Sequence, residues 1–168
     1  MHFLHVLAGS LLALGAVAQN GPGAAISSAL NFLSTATTEY RNSVSSASDA
    51  DVARSIIDGI NPVIARCVEA SSSLAVVPLP QQREVCDAEN NHNEAAQETL
   101  NTIINERANV SDDYAPTVAT VLGNYGTCIR GLLENVNGVA PLCQRTAWTS
   151  YENLVRALDA SIALYIRS

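Results

Sequence analysis

The 168-residue sequence predicts an all-α protein, an antiparallel up-and-down bundle of about five amphipathic helices with two disulfides. Three observations carry that expectation. Apolar residues return at intervals of three, four or seven in successive stretches, which is the spacing of one helix face. No stretch shows the alternating pattern and turn chemistry of paired strands. Four cysteines, Cys67, Cys86, Cys128 and Cys143, all lie beyond an apolar leader, where an even count reads as disulfides.

The leader comes first. Residues 1–18 run apolar from Phe3 to Val17 and offer Ala16-Val17-Ala18 as a small-x-small cleavage site, so they read as a secretory signal peptide. His2 and His5 stand where basic residues are usual. Gly9, Ser10 and Gly15 interrupt a run already too short to span a bilayer, and no later segment is long and apolar enough to do so. The expected product is therefore secreted and extracellular, with residues 19–168 forming a single helical bundle domain. Gln19-Asn20-Gly21-Pro22-Gly23 is a flexible lead.

Ile26, Leu30, Leu33, Tyr40 and Val44 mark a first helix from about Ala24 to Ser45. Ser46-Ala47-Ser48-Asp49 breaks it, and Ser48 with Asp51 resembles the N-cap signature of the next. Val52, Ile56, Ile60, Val63, Cys67 and Leu74 form the second stripe; Pro62 inside it predicts a kink, with a break into two shorter helices as the alternative. Pro78 and Pro80 end this arm. Gln81 to Ala108 forms the third helix, with Val85, Ala88, Ala96, Leu100 and Ile103 on one side.

Tyr114, Val118, Val121, Tyr125, Cys128, Leu132 and Val136 give the fourth helix its face, opened by Ser111 or Asp112 and closed by a left-handed cap at Asn137-Gly138. Gly123, Gly126 and Gly131 weaken that helix intrinsically and suit close approach of a neighbour. The fifth runs from about Pro141 to Ile166 with Cys143, Ala147, Tyr151, Leu154, Leu158, Ile162 and Tyr165 on its stripe and Trp148 beside it.

Cys67 and Cys86 lie on the two arms that meet at Pro78-Leu79-Pro80, which read as an antiparallel hairpin. Their heights differ by roughly 7 Å at the helical rise, so a bridge across the hairpin needs only a small slip. The favoured connectivity is thus Cys67 with Cys86 and Cys128 with Cys143, each closing a neighbouring pair of helices. Zinc ligation would need tight Cys-x-x-Cys pairs, which are absent.

Sixteen acidic residues stand against nine arginines and no lysine, a net charge of −7. With no basic run, nucleic acid and anionic membrane are poor partners. The most polar stretch, Asp87-Ala88-Glu89-Asn90-Asn91-His92-Asn93-Glu94, reads as a solvated helix face. Glu89 and His92 make one E-x-x-H step, but a carboxylate-bridged metal bundle needs two and further glutamates. His92 is the only histidine beyond the leader, the cysteines have partners, and Asp112-Asp113 serves a helix start. The expectation is no enzyme, no catalytic residue, no metal and no cofactor. Asn109-Val110-Ser111 is an N-glycosylation sequon at Asn109, where the third helical pattern stops.

The segments Ile64-Ala65-Arg66-Cys67 and Gly126-Thr127-Cys128-Ile129-Arg130, with Asp113-Tyr114 ahead of the third cysteine, resemble the secreted helical proteins of insects grouped around the tsetse midgut EP protein. That resemblance implies a non-enzymatic secreted protein of gut or body fluid. From the residues themselves two function classes stand open. In one, the bundle carries a small apolar ligand in a cavity bounded by Ile56, Ile60, Leu100, Val118, Leu122, Leu154 and Leu158, since Phe32 and Trp148 are the only large, mainly apolar rings beyond the leader. In the other, an outer face bearing Tyr40, Tyr114 or Tyr125 binds an extracellular protein as inhibitor, signal or structural component.

Overall fold

Each apolar stripe becomes a helix, and the stripes turn to a common interior. The computed structural model describes residues 21–72 and 74–166, so the leader and Gln19 lie outside the described residues. The helices are α1 (Pro22–Ser45), α2 (Val52–Ser71), α3 (Leu79–Asn105), α4 (Ala115–Val139), a single turn α5 (Cys143–Thr146) and α6 (Trp148–Ile166). A 3-10 turn, Glu106–Asn109, closes α3. No strand occurs among the described residues.

The local punctuation is mostly as expected, with informative exceptions. Proline stands in the first turn of α1, α3 and α4, where a missing amide costs no helical bond. Pro62 does not break α2; it and Asn61 are exposed, so the altered turn faces water. Leu74 falls beyond the end of α2 and leaves its stripe. The cap signature before α2 closes differently: Ser48 donates its hydroxyl to Asp51 Oδ2 at 2.7 Å, and Asp51 itself caps without a side-chain bond to the backbone. Asn137-Gly138 makes no left-handed cap, because the helix continues to Val139 and Ala140 N–H still bonds Val136 O at 2.8 Å. The expected fifth helix is interrupted at Ala147 into α5 and α6.

Helix directions alternate along the chain, but spatial order does not follow sequence order. Gly23 N–H bonds Gln81 Oε1 (3.0 Å) near one end of α1, and Arg41 pairs with Glu98 toward the other, so α1 and α3 run parallel. Tyr40 bonds Ile56 O and Ser43 meets Ser55, setting α2 antiparallel to α1. The other neighbouring pairs are α2 with α4, α4 with α6, and α6 with α3. The five long helices thus close a ring in the order α1, α2, α4, α6, α3. At ordinary interaxial distances a five-membered ring stands its axes about 8 Å from the centre, against about 7 Å for four. The interior is correspondingly wider.

Two sequence expectations fail on this order. The arms α2 and α3 are not a packed hairpin, because α1 lies between them in the ring. Residues 72–78 can reach about 23 Å, and the second neighbour in such a ring is about 15 Å away, so the link steps across without strain. The disulfides follow: they join Cys67 to Cys128, with Cα atoms 6.2 Å apart, and Cys86 to Cys143, 4.8 Å apart. The pairing Cys67–Cys86 and Cys128–Cys143 is therefore corrected. Because α2 and α3 are not neighbours in the ring, matching heights along them cannot bring Cys67 to Cys86.

Gly126 and Gly59 each admit a neighbouring helix closely. A Cβ on Gly126 would lie 2.5 Å from Leu158 Cδ2, so this glycine admits α6 against α4, whereas Gly123 and Gly131 face open space. Gly59 carries the Tyr40 ring, and a Cβ there would stand 2.7 Å from Cδ2. Tyr40 is held on its other end by its bond to Ile56 O at 3.0 Å, so the ring cannot easily retreat. Gly59→Val is expected to destabilise the protein by roughly 1–3 kcal/mol. Chemical denaturation measures it, and a neutral result would mean that α1 and α2 can separate freely.

Candidate functional site

The seven aliphatic positions proposed to bound a cavity all face inward. Ile56 and Ile60 of α2, Leu100 of α3, Val118 and Leu122 of α4, and Leu154 and Leu158 of α6 are each no more than 1 % exposed. They come from four of the five ring helices, so each wall except α1 supplies part of the set. Leu30 and Leu33 supply buried aliphatic groups from α1. The two large, mainly apolar rings lie outside: Phe32 is 48 % and Trp148 46 % exposed. Instead Tyr40, Tyr125 and Tyr165 are buried. The hydroxyls of Tyr40 and Tyr165 donate to Ile56 O (3.0 Å) and Ile103 O (2.9 Å).

The stretch expected to be a solvated face carries the site's polar chemistry. Glu89, His92 and Asn93 are 0 % exposed, whereas Asp87, Asn91 and Glu94 on the same helix are in solvent. Helical geometry explains the division. On α3, Asn93 faces α6, since its Nδ2 donates to Ser150 Oγ at 3.1 Å, and Thr99 faces α1, since its hydroxyl donates to Thr37 O at 3.2 Å. At about 100° per residue, Glu89 and His92 lie between those directions, in line with Val85, Ala96 and Ile103. They point to the middle of the ring.

Both oxygens of Glu89, both ring nitrogens of His92, Asn93 Oδ1 and Ser27 Oγ are buried without a hydrogen-bond partner. Leaving such groups bare in a low-dielectric interior is costly, so each calls for a reason. Burial pushes the Glu89 carboxyl up to about 7 and the His92 imidazole down to about 4, in each case because the charged form loses its water. Both side chains are thus mainly neutral between those values. No group of three His, Cys, Asp or Glu that could hold a metal ion occurs among the described residues, so the E-x-x-H step has no further ligand.

The two shifts act on stability in opposite directions. Folded Glu89 keeps its proton to higher pH than the unfolded side chain, so its contribution is lost as pH rises from 4.5 to about 7. Folded His92 sheds its proton sooner, so its contribution is lost as pH falls from 6.5 to about 4. In the native protein they nearly cancel. Single substitutions expose them: relative to Glu89→Gln, the native chain is expected to lose about 3 kcal/mol between pH 4.5 and 7, and relative to His92→Gln to gain a similar amount between pH 4 and 6.5. Denaturation across that range checks both slopes, and parallel curves would mean that neither group is buried as described.

An open cleft of about 410 Å³ lies where α4 ends against α5 and α6, lined by Glu134, Asn137, Gly138, Gln144, Trp148 and Tyr151. Its Trp148 and Tyr151 rings have centroids 5.7 Å apart. It is smaller in aliphatic content than the ring interior and holds no buried ionisable pair.

Two solved structures superpose on this ring. The chain shares its fold with lipid-complexed helical domains. One is ligand-binding domain 1 of the Penicillium marneffei MP1 protein complexed with arachidonic acids, with a TM-score of 0.72 at 17% identity, covering 82% of this chain and 94% of that one. The other is AFMP4P in complex with palmitic acid, with a TM-score of 0.74 at 13% identity, covering 85% of this chain and 99% of that one. No family model and no curated protein matches the sequence. At such identities the likeness is one of fold. The shared helical arrangement reaches nearly the full length of both neighbours.

Asn109, the sequon residue, is exposed at the end of the 3-10 turn, its Nδ2 donating to Glu106 Oε2 at 2.8 Å. Of the three tyrosines proposed for an outer binding face, only Tyr114 is outside, at 50 % exposure; Tyr40 and Tyr125 belong to the core. Burial raises the pKa of both buried rings, with Thr37 partly offsetting it at Tyr125. The signal that could have found Glu89 and His92 is their register. Val85, Glu89, His92 and Ala96 are spaced four, three and four apart, continuous with the apolar stripe.

Proposed function

We propose that this chain is a non-enzymatic binding protein that carries a single-chain lipid inside its five-helix ring. One observation carries the reading: an aliphatic interior in which, among the described residues, Glu89 and His92 are buried with every polar side-chain atom unpartnered. A guest with an apolar chain and a polar head would cover the aliphatic walls and complete those hydrogen bonds together. Ile56, Ile60, Leu100, Val118, Leu122, Leu154 and Leu158 would line the chain's path. Fatty acids held by the two fold neighbours support the same ligand class, and the chain's neutral inner groups leave catalysis without a nucleophile beside a base.

Secretion after cleavage near Gln19, an extracellular site of action and a glycan at Asn109 belong to the same proposal. Two disulfides suit an oxidising compartment, and no helix among the described residues is long and apolar enough to cross a membrane. Binding of an extracellular protein to an outer face is the weaker reading, since two of its three tyrosines are interior.

The test is ligand-linked stability. Saturation at a hundred times the dissociation constant should stabilise the delipidated protein by about 2.7 kcal/mol, seen as a raised melting temperature with a C12–C18 lipid panel. Leu122→Trp should abolish the shift by filling the interior. If no lipid raises the transition, the carrier reading falls.

A further inference from the structure

The bare atoms inside the ring favour one kind of head group. Asn93 gives its amide N–H to Ser150, so what it leaves unpartnered is Oδ1, an acceptor. A neutral imidazole has one acceptor nitrogen and one donor, and both positions on His92 are free. Glu89 has two free oxygens, at least one of which accepts in either protonation state. Among Glu89, His92 and Asn93 acceptors therefore predominate, while the bare hydroxyls of Ser27 and Tyr125 can each donate as well as accept. A carboxylate or phosphate head, which only accepts, would leave most of those three residues' acceptors unsatisfied and, once Glu89 ionises, would set a second negative charge beside it.

Among the described residues no cation offsets that charge. The chain has no lysine. Arg41 pairs with Glu98, Arg66 with Glu69, Arg107 with Asp112 and Arg130 with Asp159, while Arg54, Arg83, Arg145 and Arg156 are exposed. The remaining titratable side chains turned inward, Tyr40, Tyr125 and Tyr165, are neutral phenols.

We infer that the interior selects a lipid whose head donates hydrogen bonds and bears no negative charge, with Glu89, His92 and Asn93 forming its head-group site. A long-chain alcohol or a long-chain amine has this chemistry. A hydroxyl can donate to one bare acceptor and accept from the imidazole N–H, and an ammonium can donate to Glu89 and Asn93 together. The inference rests on the lipid-binding reading above and narrows it to heads other than the carboxylate.

The experiment titrates the delipidated full-length mature protein with dodecanol, dodecylamine and laurate at about pH 8, where laurate is ionised. The alcohol, the amine or both should bind at least ~10-fold more tightly than laurate. Glu89→Gln should bring laurate closer to the alcohol, and His92→Leu with Asn93→Leu should narrow the preference for the alcohol. An amine that binds native protein tightly but loses ~10-fold in Glu89→Gln identifies Glu89 as its counter-charge; an alcohol that binds both equally identifies recognition by neutral hydrogen bonds. Either supports the inference. Laurate binding as tightly as both donor-headed lipids overturns it and leaves the carrier reading standing, whereas binding of none of the three overturns both.

Discussion

Removing either disulfide is expected to destabilise the protein by about 4 kcal/mol, because the bridges close loops of 61 and 57 residues and the entropy they withhold from the unfolded chain grows with loop length. For a domain of this size that is a fall of roughly 8–16 °C in melting temperature per bridge. The bridges tie helices that are distant in sequence. Cys67–Cys128 locks α2 to α4 across one side of the ring, and Cys86–Cys143 locks the start of α3 to α5. The end that α5 occupies is also fastened by polar bonds: Gln82 Nε2 donates to Val77 O (2.9 Å), Gln82 Oε1 accepts from Leu142 N–H (2.9 Å), and Val77 N–H bonds Val139 O (2.9 Å). Paired substitutions, Cys67→Ala with Cys128→Ala and Cys86→Ala with Cys143→Ala, isolate each bridge. Non-reducing peptide maps should recover the 67–128 and 86–143 pairs, and a 67–86 peptide would restore the hairpin that the ring order rejects.

Glu89→Leu is expected to act the other way, making the ligand-free protein more stable by about 3 kcal/mol near neutral pH while weakening lipid binding. The native carboxyl gives up its water and receives no hydrogen bond in return, and its pKa of about 7 measures that loss against the ordinary 4.5. An apolar side chain of similar size removes the cost, as exchange of buried polar groups for packed aliphatic ones commonly does. A residue that lowers stability where it stands is best understood by what it does with a guest present. Thermal melts of native and Glu89→Leu protein, without lipid and with a saturating donor-headed lipid, give the crossed comparison. A less stable ligand-free variant would show that Glu89 has partners in the fold itself.

Which parts of this structure were legible in the sequence follows from how local each signal is. Ile26, Leu30, Leu33 and Val44 on α1, or Val52, Ile56, Ile60 and Val63 on α2, declare their helix and its inner face within a few turns, and all eight are buried. The continuity of α2 through Pro62 depended on whether that turn faces solvent, which the stripe alone left open between kink and break. Ring order is not local at all. Nothing near Cys67 says that α4 rather than α3 will lie beside it, so the disulfides were misassigned although all four cysteines were correctly expected to pair.

The interior polar site failed for a different reason. Glu89 and His92 fall in register with Val85 and Ala96, but polar residues at helical spacing look the same whether the face is turned to water or to a guest. Their neighbours Asp87, Asn91 and Glu94, which are exposed, tilted the whole stretch toward solvent. Conversely, Phe32 and Trp148, the only large, mainly apolar rings beyond the leader, sit on the outer surface.

The claim that a lipid occupies the ring interior is tested most directly by photolabelling. An alkyl-diazirine analogue of a long-chain alcohol, bound to the delipidated protein and irradiated, should attach to Ile56, Ile60, Leu100, Val118, Leu122, Leu154 or Leu158, and excess unlabelled alcohol should suppress those adducts. Adducts confined to exposed residues such as Phe32, Tyr114 or Trp148, undiminished by competitor, would contradict it.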